Sequence, residues 1–192
     1  MIPTGVSLVV ALDANVLFGY PLRDTLLYAV EAELYRPAWS EAIWEEVARN
    51  LKDPRRKRPH TDEDVHRLMN AIRRSFPDAF VDGYQPLEPD MPVDAKDRHV
   101  AAMAVHAQAQ ILVTYNLKHF PSDGLAPYGI EVQHPDAFLH DLYLRSPLSM
   151  MDVVRAQAAP LTKPAKTPRD ILDDLEKVRI RRFARAIRAQ LS

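Results

Sequence analysis

Val6-Ser7-Leu8-Val9-Val10-Ala11-Leu12-Asp13-Ala14-Asn15-Val16-Leu17 is the stretch on which the fold turns. Its first seven residues are β-branched or leucine-rich and barely alternate in polarity. That pattern predicts a central strand buried on both faces, as in a parallel sheet. Asp13 closes the run. Ligands of open α/β sheets collect just beyond the carboxyl ends of the strands, so a carboxylate at this point is aimed at the cleft. Asp13 also stands where an acid caps the next helix, and the junction alone leaves both roles open.

Working outward, Leu26, Leu27, Val30 and Leu34 fall at helical spacing and predict a helix over residues 22–34. Residues 35–39 read as a short strand or extended link, because Arg36 precedes a proline. Ser40 opens a capped helix to Leu51, with Ile43, Val47 and Leu51 on one face and Glu46 one turn in. Of the three acids there, Glu46 lies nearer the buried stripe than Glu45 or Glu41. Thr61 starts a further helix that Pro77 ends, and Phe80-Val81 reads as an edge strand. Residues 85–93, with Pro86, Pro89 and Pro92, form a stiff connector to Asp94. An Ala-rich helix follows with Val100, Ala101, Ala104 and Val105 as its stripe, Asp94 as its N-cap and Asp97 in its first turn. Ile111-Leu112-Val113 is a second short strand, ending at Thr114-Tyr115-Asn116. Glu131-Val132-Gln133 is the last strand, and residues 135–144 form a helix. Strands separated by helices predict a three-layer α/β/α fold with a mostly parallel sheet.

Beyond residue 145, Ser146-Pro147 and Thr167-Pro168 each predict a helix start, separated by a proline-punctuated linker. The expected division is therefore residues 1–145 as the α/β domain and 146–192 as a helical extension. The segment 177–188 holds six basic residues and no acid, with Ile180, Phe183, Ile187 and Leu191 on one helical face. Three readings stay open for it: a helix packed on the core, an RNA contact, or a surface for a protein partner or for self-association as a homodimer.

Composition narrows the chemistry. At 192 residues the chain buries about 70% of its unfolded surface, enough for a core without staples. It has no cysteine, which removes disulfides and thiolate metal sites and suits a reducing cytoplasm. The opening apolar run is too short to span a bilayer, so no membrane association is expected. A net charge of −1 argues against coating nucleic acid over the whole surface, yet leaves room for local basic patches such as Arg55-Arg56-Lys57-Arg58. None of the seven histidines forms a HExxH pair, which disfavours a zinc hydrolase. His99 and His119 read as surface residues or substrate contacts. No glycine-rich phosphate loop is present, and Asp13-x-Asn15 lacks the Asp-x-Asp-x-Thr form of a phosphoaspartyl phosphatase.

Asp13 with Asn15, Ser40 with Glu46, Asp97, and Thr114 with Asn116, in this order, resemble the PIN-domain ribonucleases, most closely their VapC-like toxin members. The resemblance covers roughly residues 6–140. It implies a metal-dependent endoribonuclease that acts on RNA and is the toxin partner of a cognate antitoxin. Asp13, Glu46 and Asp97 would ligate Mg2+ or Mn2+, with Asn116 as the fourth catalytic position. Hard oxygen ligands suit such ions, and three clustered carboxylates are unfavourable without a cation. Many relatives carry Asp where Asn116 stands, with Asp94 or Asp123 available to compensate. Asn15 would orient Asp13, and Thr114 would act similarly on Asn116. The alternative is a PIN fold kept as an RNA- or protein-binding module with little turnover.

Overall fold

The computed structural model describes residues 8–191. Its contacts divide the chain into two units, residues 1–18 with 36–132 and residues 19–35 with 133–192.

The first unit is built on β1 (Val9–Leu12), whose expected beginning at Val6 and Ser7 lies outside the described residues. α1 (Ala14–Leu17) follows at once. The chain leaves for α2 (Tyr20–Glu31) and returns in β2 (Arg36–Ala38), α3 (Glu41–Leu51) and α4 (Asp62–Ser75). It then crosses through α5 (Arg98–His106) to β3 (Ile111–Val113), α6 (Ser122–Leu125) and β4 (Glu131–Gln133). The strand order is β2-β1-β3-β4, with β1 parallel to both β2 and β3. This is the parallel α/β/α class that the strand–helix alternation predicts. Val10, Ala11, Leu12, Leu112 and Val113 have no solvent exposure, which explains why neither strand alternates in polarity. Burying each of these larger side chains contributes about 1.5–3 kcal/mol. Successive strands are laid first on one side of β1 and then on the other. The resulting switch point places a crevice beyond the carboxyl ends of β1 and β3.

Two local readings are corrected here. Phe80 makes only an isolated parallel bridge to Trp39 rather than an edge strand, with Val81 N–H donating to Trp39 O at 2.8 Å. The stretch Gln85–Asp90 is wound into 3-10 helix, since prolines fix φ near the helical value.

The second unit comprises α2 with α7 (Pro135–Arg145), α8 (Pro147–Ala158), α9 (Pro168–Lys177) and α10 (Arg181–Arg188). Thus α7, which the sequence reading groups with the α/β domain, clusters with the C-terminal helices. Inside this unit Gln157 is buried, donates to Pro21 O at 3.0 Å and accepts from Thr25 at 2.7 Å. Asp136 accepts the backbone N–H groups of Arg182 and Phe183 at 2.9 and 3.0 Å, anchoring the start of α10. Phe183, Ala184 and Ile187 are buried, and α10 packs on α7 and α9. The apolar stripe of the basic tail is therefore spent inside the protein, which leaves its arginines and not its apolar face for any partner.

α2 ends three residues before its apolar periodicity does. Glu33 adopts φ 57° with its N–H on Val30 O, and Leu34 N–H bonds Ala29 O. That pair of bonds is a Schellman cap, normally made by glycine. Gln108 (φ 52°) and Arg179 (φ 69°) end α5 and α9 in the same way. A side chain in this left-handed region costs about 1–2 kcal/mol. Replacing exposed Glu33 or Gln108 by glycine is expected to stabilise the protein by about 1 kcal/mol, less the added unfolded-state entropy, as read from urea midpoints. Substitution by valine is expected to destabilise it.

Candidate active site

Both acids at the sheet's crevice occupy helix N-cap positions, and neither caps. Asp13 is the N-cap of α1 with extended φ and ψ, and Asp97 is the N-cap of α5, yet neither side chain takes a capping hydrogen bond. An Asp cap ordinarily stabilises by about 1 kcal/mol; the Asp13 carboxylate is engaged elsewhere, and that of Asp97 forgoes the bond.

Asp13 is 7% exposed. Its main-chain N–H donates to Val113 O at 3.1 Å, which ties the end of β1 to the end of β3. Its Oδ2 accepts from the Thr114 hydroxyl at 2.6 Å and from the Asn15 amide. Asn15 Nδ2 also reaches Thr114 Oγ1 at 2.9 Å, while its Oδ1 accepts Tyr115 N–H at 3.0 Å. Thr114 Oγ1 accepts Asn116 N–H at 3.0 Å. Asn15 therefore orients Asp13, as its position implies, and Thr114 does more than expected by holding Asp13 and the backbone of Asn116 at once.

Burial raises the Asp13 pKa to about 6, helped by the nearby charges of Glu46 and Asp97 and opposed by the Thr114 hydrogen bond. Both acids thus act on Asp13 electrically. The three α3 acids differ in their surroundings. Glu41 is bound to Arg73, Glu45 points to solvent, and Glu46 is half-buried. Ser40 caps α3, accepting from Ile43 N–H at 3.4 Å.

Asp97, not Asp94, is the α5 cap residue. Asp94 is exposed and one turn outside the helix, with Asp97 N–H on its carbonyl at 2.8 Å. Asp97 Oδ2 is buried without a hydrogen-bond partner, and so is His119 Nδ1, although the two lie 3.2 Å apart. His119 is the neighbour that sequence reasoning undervalued. The turn after β3 brings it back, with its N–H on Asn116 O at 2.9 Å. Asn116 itself is exposed, as is Asp123.

These side chains offer what a hard divalent cation needs: carboxylate oxygens, an orphaned buried oxygen, and negative charge lacking a counter-charge. They do not form a closed cage, since no group of three His, Asp or Glu among the described residues stands in coordination geometry. An open set of that kind suits an ion that keeps most of its waters.

The PIN domain description matches residues 9–118, and the VapC50 C-terminal domain description matches residues 135–189. A curated relative from Mycobacterium tuberculosis (strain ATCC 25618 / H37Rv), named "Putative ribonuclease VapC50", is 40% identical over 117 residues, 61% of this chain and 69% of the relative. No solved structure gives a significant match.

Two measurements check the site. Thr114→Val removes a buried hydroxyl that serves three partners, and a loss of about 1–3 kcal/mol in denaturant stability is expected. The second concerns pH. In metal-free protein the folded pKa of Asp13, about 6, lies above its unfolded value of 3.8. The folded state therefore binds the extra proton, and this stabilisation is full below the unfolded pKa and lost as pH rises through 6. Relative to Asp13→Asn, wild type is expected to lose about 1 kcal/mol between pH 5 and pH 7; a constant difference would contradict the raised pKa.

Proposed function

Because this chain belongs to the PIN-domain family, in its VapC-like branch, we propose that it is a metal-dependent endoribonuclease, the toxin of a toxin–antitoxin pair. The observation that carries the reading is the buried Asp13 at the β1/β3 switch point, held by Asn15 and Thr114 and acted on by the charges of Glu46 and Asp97. Asp13, Glu46 and Asp97 would hold Mg2+ or Mn2+, and Asn116 would stand as the fourth catalytic position. Bound there, the cation supplies an activated water and charge stabilisation on the phosphate oxygens.

The chain's own residues do the rest. Thr114 and Asn15 both donate to one oxygen of Asp13, which fixes the carboxylate. Glu46 and Asp97 bring their charge from separate helices, so the site is rigid on the sheet side. Asn116 adds a polar group without charge. Its amide suits a phosphate oxygen or a bound water better than tight metal binding. The functional division would be a nuclease core that carries the acids and a helical unit that, with α7 grouped among the later helices, takes in residues 133–192. No helix among the described residues is long and apolar enough to cross a membrane, and a cytoplasmic site of action, with a cognate antitoxin as partner, belongs to the proposal.

A second reading, an RNA- or protein-binding module with little turnover, draws support from the open donor set and from Asn116. Cleavage of single-stranded RNA in Mn2+ separates the two. Asp13→Asn is expected to lower the rate by more than about 100-fold. Wild type without metal-dependent cleavage would favour the binding module. A further test concerns the uncharged position: Asn116→Asp is expected to tighten Mn2+ in calorimetric titration, because a carboxylate adds charge beside a hard cation. Unchanged affinity would place Asn116 on substrate.

A further inference from the structure

Beside Asp97 the first unit holds a cleft of about 310 Å³. Arg98, Lys118 and His119 line it, opposed by one acid, Asp94, with Pro92 and Pro121 among its walls. The basic groups come from two elements that the sheet brings together, the start of α5 and the turn after β3. Arg98 is steered by its Nε–H, which donates to Val93 O at 3.4 Å. Lys118 is exposed, and no acid among the described residues lies within ion-pairing distance of it. His119 joins the cleft to the acidic site, its Nδ1 3.2 Å from Asp97 Oδ2. The wall is built to a close tolerance: a Cβ on Gly124 would lie 3.2 Å from both Cγ and O of Pro92, so only glycine lets α6 seat against it without displacement.

We propose that this cleft is a phosphate subsite for the RNA strand, seating the nucleotide next to the phosphodiester at Asp97. The proposal rests on the ribonuclease reading above and deepens it. Lys118 and Arg98 contact the phosphate, and the prolines give the ribose an apolar wall. The Arg55–Arg58 run lies outside this cleft. In the Arg55–Arg58 run, Arg55 is paired with Asp53, and Arg56 is tied to Asn50 and Phe18 O. A chain of net charge −1 binds a polyanion only through such local sites. The mixed lining also accounts for restraint: Asp94 at the rim disfavours indiscriminate binding of free anions.

The test is fluorescence anisotropy of a nuclease-resistant 2′-O-methyl phosphorothioate oligoribonucleotide in Mn2+, over a salt series, with wild type, Lys118→Ala, Lys118→Arg and Arg98→Gln. Lys118→Ala is expected to weaken binding several-fold and to reduce the slope of log K against log salt by about 0.7, one phosphate on a single strand. Lys118→Arg is expected to restore both, and Mn2+ affinity is expected to stay unchanged in every variant. Lys118→Ala and Arg98→Gln with wild-type affinity and slope would overturn the subsite. If wild type cleaves ordinary RNA while those variants bind normally, only the subsite fails. A wild type that neither binds nor cleaves overturns the nuclease reading together with it.

Discussion

The carboxylate of Asp13 sits almost out of water between the ends of two parallel strands, with two further negative charges nearby. Everything at the crevice is arranged around that unfavourable placement. A lone carboxylate so buried would be driven toward its protonated form, as the raised pKa records. Thr114 and Asn15 hold part of the charge by donating to one oxygen. The β1–β3 pairing sets those donors, since Asp13 N–H on Val113 O fixes the register that brings Thr114 opposite Asp13. The sheet thus does more than scaffold the site: a slip of one residue would turn Thr114 away.

The same economy governs the helix ends. Asp13 and Asp97 each forgo a capping bond, whereas Thr61 and Thr167 complete capping boxes with Asp64 and Asp170. Thr61 and Thr167 cap through their side chains, while at the crevice the main-chain carbonyls of Asp13 and Asp97 take the N–H groups of Val16 and Val100. Among the basic residues a similar division holds. Lys177 and Arg188 are taken up in ion pairs with Asp173, Asp174 and Glu176, while Lys118, in the cleft with His119, makes no ion pair among the described residues.

What the sequence made legible follows from range. The buried strands, the capping boxes and the parallel α/β class were readable because each depends on residues close in sequence or on uniform apolar runs. The ends of α2, α5 and α9 were not, because Glu33, Gln108 and Arg179 take a left-handed conformation that glycine usually signals. Nor was the grouping of α2 and α7 with the C-terminal helices, which depends on packing between distant segments. At the candidate site, the contacts of Asn15 with Asp13 and of Thr114 with Asn116 were expected, and the bond from Thr114 to Asp13 was not. Asp94 was misplaced as a cap because two acids three apart fit one helix start equally well. His119 was read as a surface residue or substrate contact, because its proximity to Asp97 arises only when the turn after β3 folds back.

The account stands on the claim that the acids at the crevice lack a counter-charge which a divalent cation supplies. The direct measurement is the thermal midpoint of wild-type protein, stripped with chelator, before and after addition of Mn2+, beside Asp97→Asn. Binding to the folded state alone raises stability by about 2.7 kcal/mol at a hundredfold excess over Kd. The predicted result is a midpoint that rises with Mn2+ in wild type and shifts far less in Asp97→Asn, whose stripped form is already the more stable of the two. An Mn2+-independent midpoint in wild type, or equal shifts in both proteins, would contradict it.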